Sequence, residues 1–107
     1  MFIAMNNFSV AAGKEDDFEG AWKGRSSYLQ DVPGFLHFAL LRGDQPGEYV
    51  SHSTWASREA FLAWTKSESF VASHRQAGSM MGVLNGPPVV RTYDSVVDEP
   101  AHQAAAT

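Results

Sequence analysis

Cysteine is absent from the 107 residues. That excludes a disulfide framework, a thiolate metal site and a thiol nucleophile, and leaves His, Asn, carboxylates, aromatics or a bound cofactor to carry any chemistry. Charge is scarce: eight Lys and Arg stand against twelve Asp and Glu, a net charge of −4. This is the wrong sign for a domain that neutralises phosphates, so nucleic acid is not an expected partner. Long hydrophobic runs are missing too. Nothing approaches the ~18 consecutive apolar residues of a membrane span, so no membrane is expected as a partner. The apolar stretch Met1 to Met5 is too short for a signal peptide and lacks a basic flank, which leaves a cytoplasmic location as the expectation. There is also no Gly-rich phosphate loop, no Ser nucleophile elbow, no His-x-x-x-His pair and no carboxylate cluster for a zinc or non-haem iron site.

What is present reads as one small globular domain, residues 1–97, with an Ala-rich tail over 98–107. Phe2 to Val10 alternates as a strand, with Phe2, Ala4, Asn6, Phe8 and Val10 on one face and Ile3, Met5, Asn7 and Ser9 on the other. After Gly13, the segment Lys14 to Gln30 predicts a helix whose first turn carries Glu15, Asp16 and Asp17, and whose inward stripe is Phe18, Ala21, Trp22, Arg25 and Leu29. A Pro33-Gly34 turn leads to Phe35 to Arg42, so apolar that it predicts a strand at the centre of a sheet. Gly43 to Glu48 is a hairpin loop and Tyr49 to Trp55 the returning strand. Ser57 caps a helix carrying Phe61 and Trp64. Ser67 is a second cap, so the helix breaks there and restarts, with Phe70 and His74 one turn apart. Residues 77–88 form a Gly/Met/Pro loop long enough to act as a lid, and Val89 to Val97 is the last strand. The order β-α-β-β-α-β predicts an α+β, ferredoxin-like fold: four antiparallel strands with two helices on one face.

Several side chains stand out of place. Asn6 sits on an apolar face, where an amide must bond backbone, water or a ligand. His74 follows a helix break and is the best metal-ligand candidate, against the blander reading of a satisfied structural histidine. Trp22 and Trp64 have the spacing of ordinary core residues. Arg25 either extends its head to solvent or meets a carboxylate, from protein or ligand. His37 and His52 in strands and His102 in the tail read as surface or structural residues. One histidine with one amide among large aromatics suits a haem pocket better than a bare metal, because the porphyrin supplies four of the iron's ligands.

The segments MFIAMNNF, VPGFLHFALLRG and STWASREAFLAWTKSESFVASHR together resemble the IsdG-type haem-degrading monooxygenases, within the antibiotic biosynthesis monooxygenase superfamily, over about residues 1 to 97. The specific part is an Asn closing the first apolar strand run combined with Trp64 and His74 across a helix break. The resemblance implies a homodimer whose two sheets pack into an αβ-barrel. It puts the catalytic asparagine at Asn6 (Asn7 being the rival), the tryptophan at Trp64 and the axial ligand of the haem iron at His74, with Trp22 and Arg25 along the haem edge.

It further implies that haem is both substrate and cofactor. His74 would ligate iron, the Asn6 amide would hydrogen-bond the reacting oxygen, and Trp64 would press the porphyrin out of plane. O2 and an external reductant would open the ring to a linear, biliverdin-like tetrapyrrole and release iron, since the chain has no flavin or nicotinamide motif. Two other readings share parts of this pattern. One is a cofactor-independent monooxygenase of an aromatic polyketide or quinone, which has no need of His74; the other is a haem-binding protein without turnover.

Overall fold

The computed structural model describes residues 1–24, 29–77 and 82–100, and of residues 73–77 the backbone. The chain runs β1 (Phe2–Ser9), α1 (Glu15–Gly24), β2 (Phe35–Arg42), β3 (Glu48–Trp55), α2 (Arg58–Thr65), α3 (Glu68–Ala77) and β4 (Val89–Asp94). The four strands form one sheet in the order β2-β3-β1-β4, every pair antiparallel. This is the expected ferredoxin-like topology, with the two halves crossing so that β1 and β3 lie at the centre.

Four expectations are corrected. The apolar β2 is an edge strand, not a central one, and its Leu36 and Leu41 are 52% and 45% exposed. The break expected at Ser67 is present and divides the second helix into α2 and α3, so the described chain has three helices where the fold expectation counted two. The described part of α1 runs to Gly24, and Leu29 and Gln30, expected within this helix, are non-helical. Within α1, Phe18 is buried and Trp22 half-buried, but Ala21 is exposed. The last strand ends at Asp94 rather than Val97. Of the expected lid, residues 82–88 belong to the described chain, and part of them is tied down. Val10 bridges Leu84, the Ala11 N–H donates to the Val83 carbonyl at 2.7 Å, and the Asn85 amide side chain donates to the Ser9 hydroxyl at 2.8 Å.

The break between α2 and α3 has a local cause. The Ser57 hydroxyl accepts from the Ala60 N–H at 3.1 Å and starts α2. The Ser67 hydroxyl donates to the Trp64 carbonyl at 2.6 Å, closing α2, and accepts from the Phe70 N–H at 3.2 Å, opening α3. One side chain therefore fixes the joint between the helix that carries Trp64 and the helix that carries His74. On the other side of α2, Gly34 has φ +80, and a Cβ there would stand 2.5 Å from that of Ala60. Only glycine allows this turn to lie so close to the helix.

The core is divided. Val10, Phe18 and Tyr49 form one buried cluster, with Phe8, Trp22 and Leu40 packed on it. Phe2, Leu29 and Trp55 form a second, joined by Phe35, Phe38, Phe61 and Trp64. Pairing register explains the division. On the helix-covered face the outer rows across the sheet are aromatic: Phe35, Trp55 and Phe2 at one end, Tyr49 and Phe8 at the other. The two rows between them are Phe38, Ser53, Ala4 and Leu40, Ser51, Asn6, so the middle of the face is floored by small and polar side chains.

Candidate active site

Asn6 occupies the centre of this floor, opposite Ser51 of β3 and Val90 of β4. Its even-numbered position gives it the same face as buried Phe2 and Ala4, as the alternation predicted. Its amide makes no hydrogen bond to another described residue, whereas that of Asn7, on the opposite face, donates to the Val89 carbonyl at 3.3 Å. The amide is half-buried and neither of its polar atoms is both fully buried and unpaired, so it is free to bond water or a ligand.

Ser51 and Ser53 flank it on β3, and their surroundings differ. The Ser53 hydroxyl accepts from the Trp55 indole N–H at 2.9 Å and donates to the Ala4 carbonyl at 3.3 Å. Ser51 is 4% exposed, the single buried polar residue among the described residues, and its hydroxyl bonds to none of them. Its oxygen is not among the fully buried, unpaired side-chain atoms, so within a buried residue the hydroxyl keeps an opening through which water or a ligand can bond it. Neither serine stood out in the sequence. The available signal was parity, since 49, 51, 53 and 55 share a face that is otherwise aromatic.

Trp22 and Trp64 stand at the two sides of the floor. The Trp22 ring lies nearly parallel to Phe38, with centroids 5.6 Å apart and planes 18° apart, and meets Phe8 edge-on at 6.0 Å. This stack bridges the two halves of the core. Beside it, between α1 and β2, opens a cavity of about 630 Å³ lined by Trp22, Leu29, Phe38, Leu40 and Arg42. Trp64 packs on Trp55 at 5.4 Å and edge-on against Phe70 at 4.9 Å. Its indole N–H is buried with no acceptor among the described residues, and the residue lines a second cavity of about 730 Å³ with Gly34, Ala60 and Ser67. Asn6 lines neither cavity. The fold thus sets the two tryptophans on either side of Asn6 without joining the three in one open pocket. His74 lies on α3, one helical turn beyond Phe70, with its side chain outside the described residues; Arg25 falls outside them altogether. Among the described residues no three of His, Asp or Glu gather to hold a bare metal ion.

An ionic cluster closes the cavity beside Trp22. Arg42 clasps the Glu19 carboxylate with two hydrogen bonds of 2.7 and 2.8 Å, and the buried Tyr49 hydroxyl donates to the same carboxylate. The Tyr49 hydrogen bond, then that of Arg42, holds the Glu19 carboxyl below its usual range. The same hydrogen bond to Glu19 raises the Tyr49 phenol. The cluster's contribution to stability is therefore present above the ordinary carboxylate range and lost as pH falls through the lowered Glu19 value. At the alkaline end it is lost as pH rises through the raised Tyr49 value. In thermal melts across the acid range, Glu19→Gln should flatten the pH dependence while lowering the neutral-pH melting point; an unaltered acid limb would show that other carboxylates set it. Arg42 and Tyr49 are brought together by the expected hairpin, but nothing in the sequence pattern pointed to Glu19, which lies 23 and 30 residues away from them.

The family profile described as antibiotic biosynthesis monooxygenase matches residues 1–76. A "Heme oxygenase (mycobilin-producing)" of Mycobacterium tuberculosis is 34% identical over 73 residues, 65% of this chain and 68% of that protein. A "Heme-degrading monooxygenase" of Bacillus thuringiensis is 30% identical over 83 residues, 75% and 77% of the two chains. Among solved structures, the heme-degrader MhuD from Mycobacterium tuberculosis, with two hemes bound in its active site, superposes with a TM-score of 0.73 at 25% identity, covering 94% of this chain and all of the other (100%). The fold is shared more widely: SnoaB, a cofactor-independent oxygenase from Streptomyces nogalater, reaches a TM-score of 0.71 at 20% identity over 94% of this chain and 97% of its own. By the profile match and by these relatives, the chain belongs to the antibiotic biosynthesis monooxygenase family.

Proposed function

We propose that this protein is a haem-degrading monooxygenase, with haem as substrate and O2 and an external reductant as co-substrates. The observation that carries the reading is the divided core. Two aromatic clusters, joined through the Trp22–Phe38 stack, flank a floor whose β3 and β1 positions are Ser53, Ala4, Ser51 and Asn6, and the Asn6 amide has no hydrogen-bond partner among the described residues. The side chains bordering this floor are of the kinds that would hold a flat, largely apolar molecule such as haem. The Trp22–Phe38 stack offers a flat wall, Trp64 a buried indole with an unused N–H, and α3 a histidine. A relative 34% identical bears the name of a heme oxygenase, which favours this reading over the cofactor-independent one.

The chain's own residues have separable tasks. His74 would hold the haem iron from α3, and the iron would supply the chemistry of O2 activation. Asn6 would offer an amide N–H donor to the oxygen brought to this face of the substrate and so help to orient it. Trp64 would bear on the flat face of the substrate, Trp22 would wall its edge, and Arg25 would receive a propionate carboxylate. The product is a linear, biliverdin-like tetrapyrrole together with free iron.

We further propose that the working unit is a homodimer. The sheet face away from the helices carries Ile3, Met5, Val50, Leu41, Val89 and Tyr93, the last three 45%, 53% and 47% exposed. Its apolar character is what made β2 look like a central strand. A second sheet packed on this face would cover it.

Hemin titration tests the assignment. A new Soret band is expected, bleaching when a reductant is added in air, with iron released and twice the chain mass in light scattering. A chain that binds hemin but never bleaches it would be a haem carrier. One that gives no Soret band would direct attention to aromatic polyketide or quinone substrates.

A further inference from the structure

We infer that Ser51 supplies a second hydrogen-bond donor beside Asn6, aimed at the small molecule or anion held opposite the histidine; this rests on the haem reading. Ser51 is the direct cross-strand partner of Asn6 and shares its helix-covered face. Residues opposed in this way hold their Cβ atoms about 5 Å apart, so two short polar side chains can converge on one acceptor. The contrast with Ser53 carries the inference. On the same strand and face, Ser53 is bonded at both its donor and acceptor sides, and is accounted for by the fold. Ser51 is more deeply buried, at 4% exposure, yet its hydroxyl bonds to no described residue. An alanine or valine would fill that position with nothing left unpaired. A hydroxyl that bonds no described residue, yet is not sealed from solvent, is open to a partner that arrives with the ligand.

A hydroxyl and an amide N–H offer two donors of different reach, and together they fix the direction of a diatomic or triatomic ligand better than either alone. Ser51 is therefore a specificity-determining group, governing which ring carbon the oxygen faces.

The test compares Ser51→Ala with Ser53→Ala, using apo-protein melting and azide titration of the ferric hemin complex. For Ser51→Ala the expected result is an apo melting point equal to or above that of the parent, with azide affinity reduced about tenfold. For Ser53→Ala it is the reverse, a lower melting point with azide affinity unchanged. Parent-like azide affinity in Ser51→Ala, or a lowered apo melting point, would overturn the proposal, since the hydroxyl would then be idle or structural. Failure of the parent to form a hemin complex would overturn the haem reading itself and this inference with it, a result distinct from the other two.

Discussion

Asn6→Ala should bind hemin as the parent does and lose turnover by about a hundredfold or more. The substitution removes a donor and leaves every group that encloses the ligand. Loss of one preorganised donor to a developing negative charge costs about 10²–10³ in rate in a water-excluded site. The fold should not suffer, because the amide has no hydrogen bond to surrender among the described residues. Alanine also already occupies the adjacent even position, Ala4, on the same face. Single-turnover bleaching of the reduced complex, alongside the Soret titration, separates the two effects. Full turnover in Asn6→Ala would remove the oxygen-side role, and loss of hemin binding would mean that Asn6 holds the substrate. Asn6→Asp is a useful companion: a carboxylate can only accept hydrogen bonds, so it should be at least as slow as alanine.

His74→Ala should abolish the parent's Soret signature and weaken hemin binding by a factor of ten or more, on the order of the lost iron–ligand interaction. Added imidazole should restore part of the spectrum, since a free ligand can enter the space the side chain leaves. Rescue would separate loss of the axial ligand from general damage to α3. A His74→Ala protein whose hemin spectrum and bleaching equal the parent's would mean that iron is held from elsewhere.

Several features could be read directly from the chain because each rests on short-range physics. The alternation of β1 put Asn6 on the face of Phe2 and Ala4. Ser57 and Ser67 are side chains that bond nearby backbone N–H groups, so both caps and the helix break between them follow from residue type alone. β2 misled because an apolar run signals that both faces seek cover without saying which layer supplies it. Its inner face meets the core, while Leu36 and Leu41 are left exposed among the described residues. α1 misled because Leu29 keeps helical spacing with Trp22 yet reaches the core from outside a helix. Ser51 and the Glu19–Arg42–Tyr49 trio were out of reach for a different reason. Their meaning depends on what lies opposite them, which register and crossover decide.

The divided core also bears on the lifetime of the protein. Its two aromatic clusters meet through the Trp22–Phe38 stack rather than through continuous packing. A flat ligand lying over the floor would act as the missing layer between them. By mass action, a ligand that binds the folded chain at a hundred times its dissociation constant adds about 2.7 kcal/mol to stability. On this reading the chain is most open to unfolding and proteolysis when haem is scarce and most durable when haem is abundant, so the amount of degrader follows the supply of what it degrades with no separate sensor.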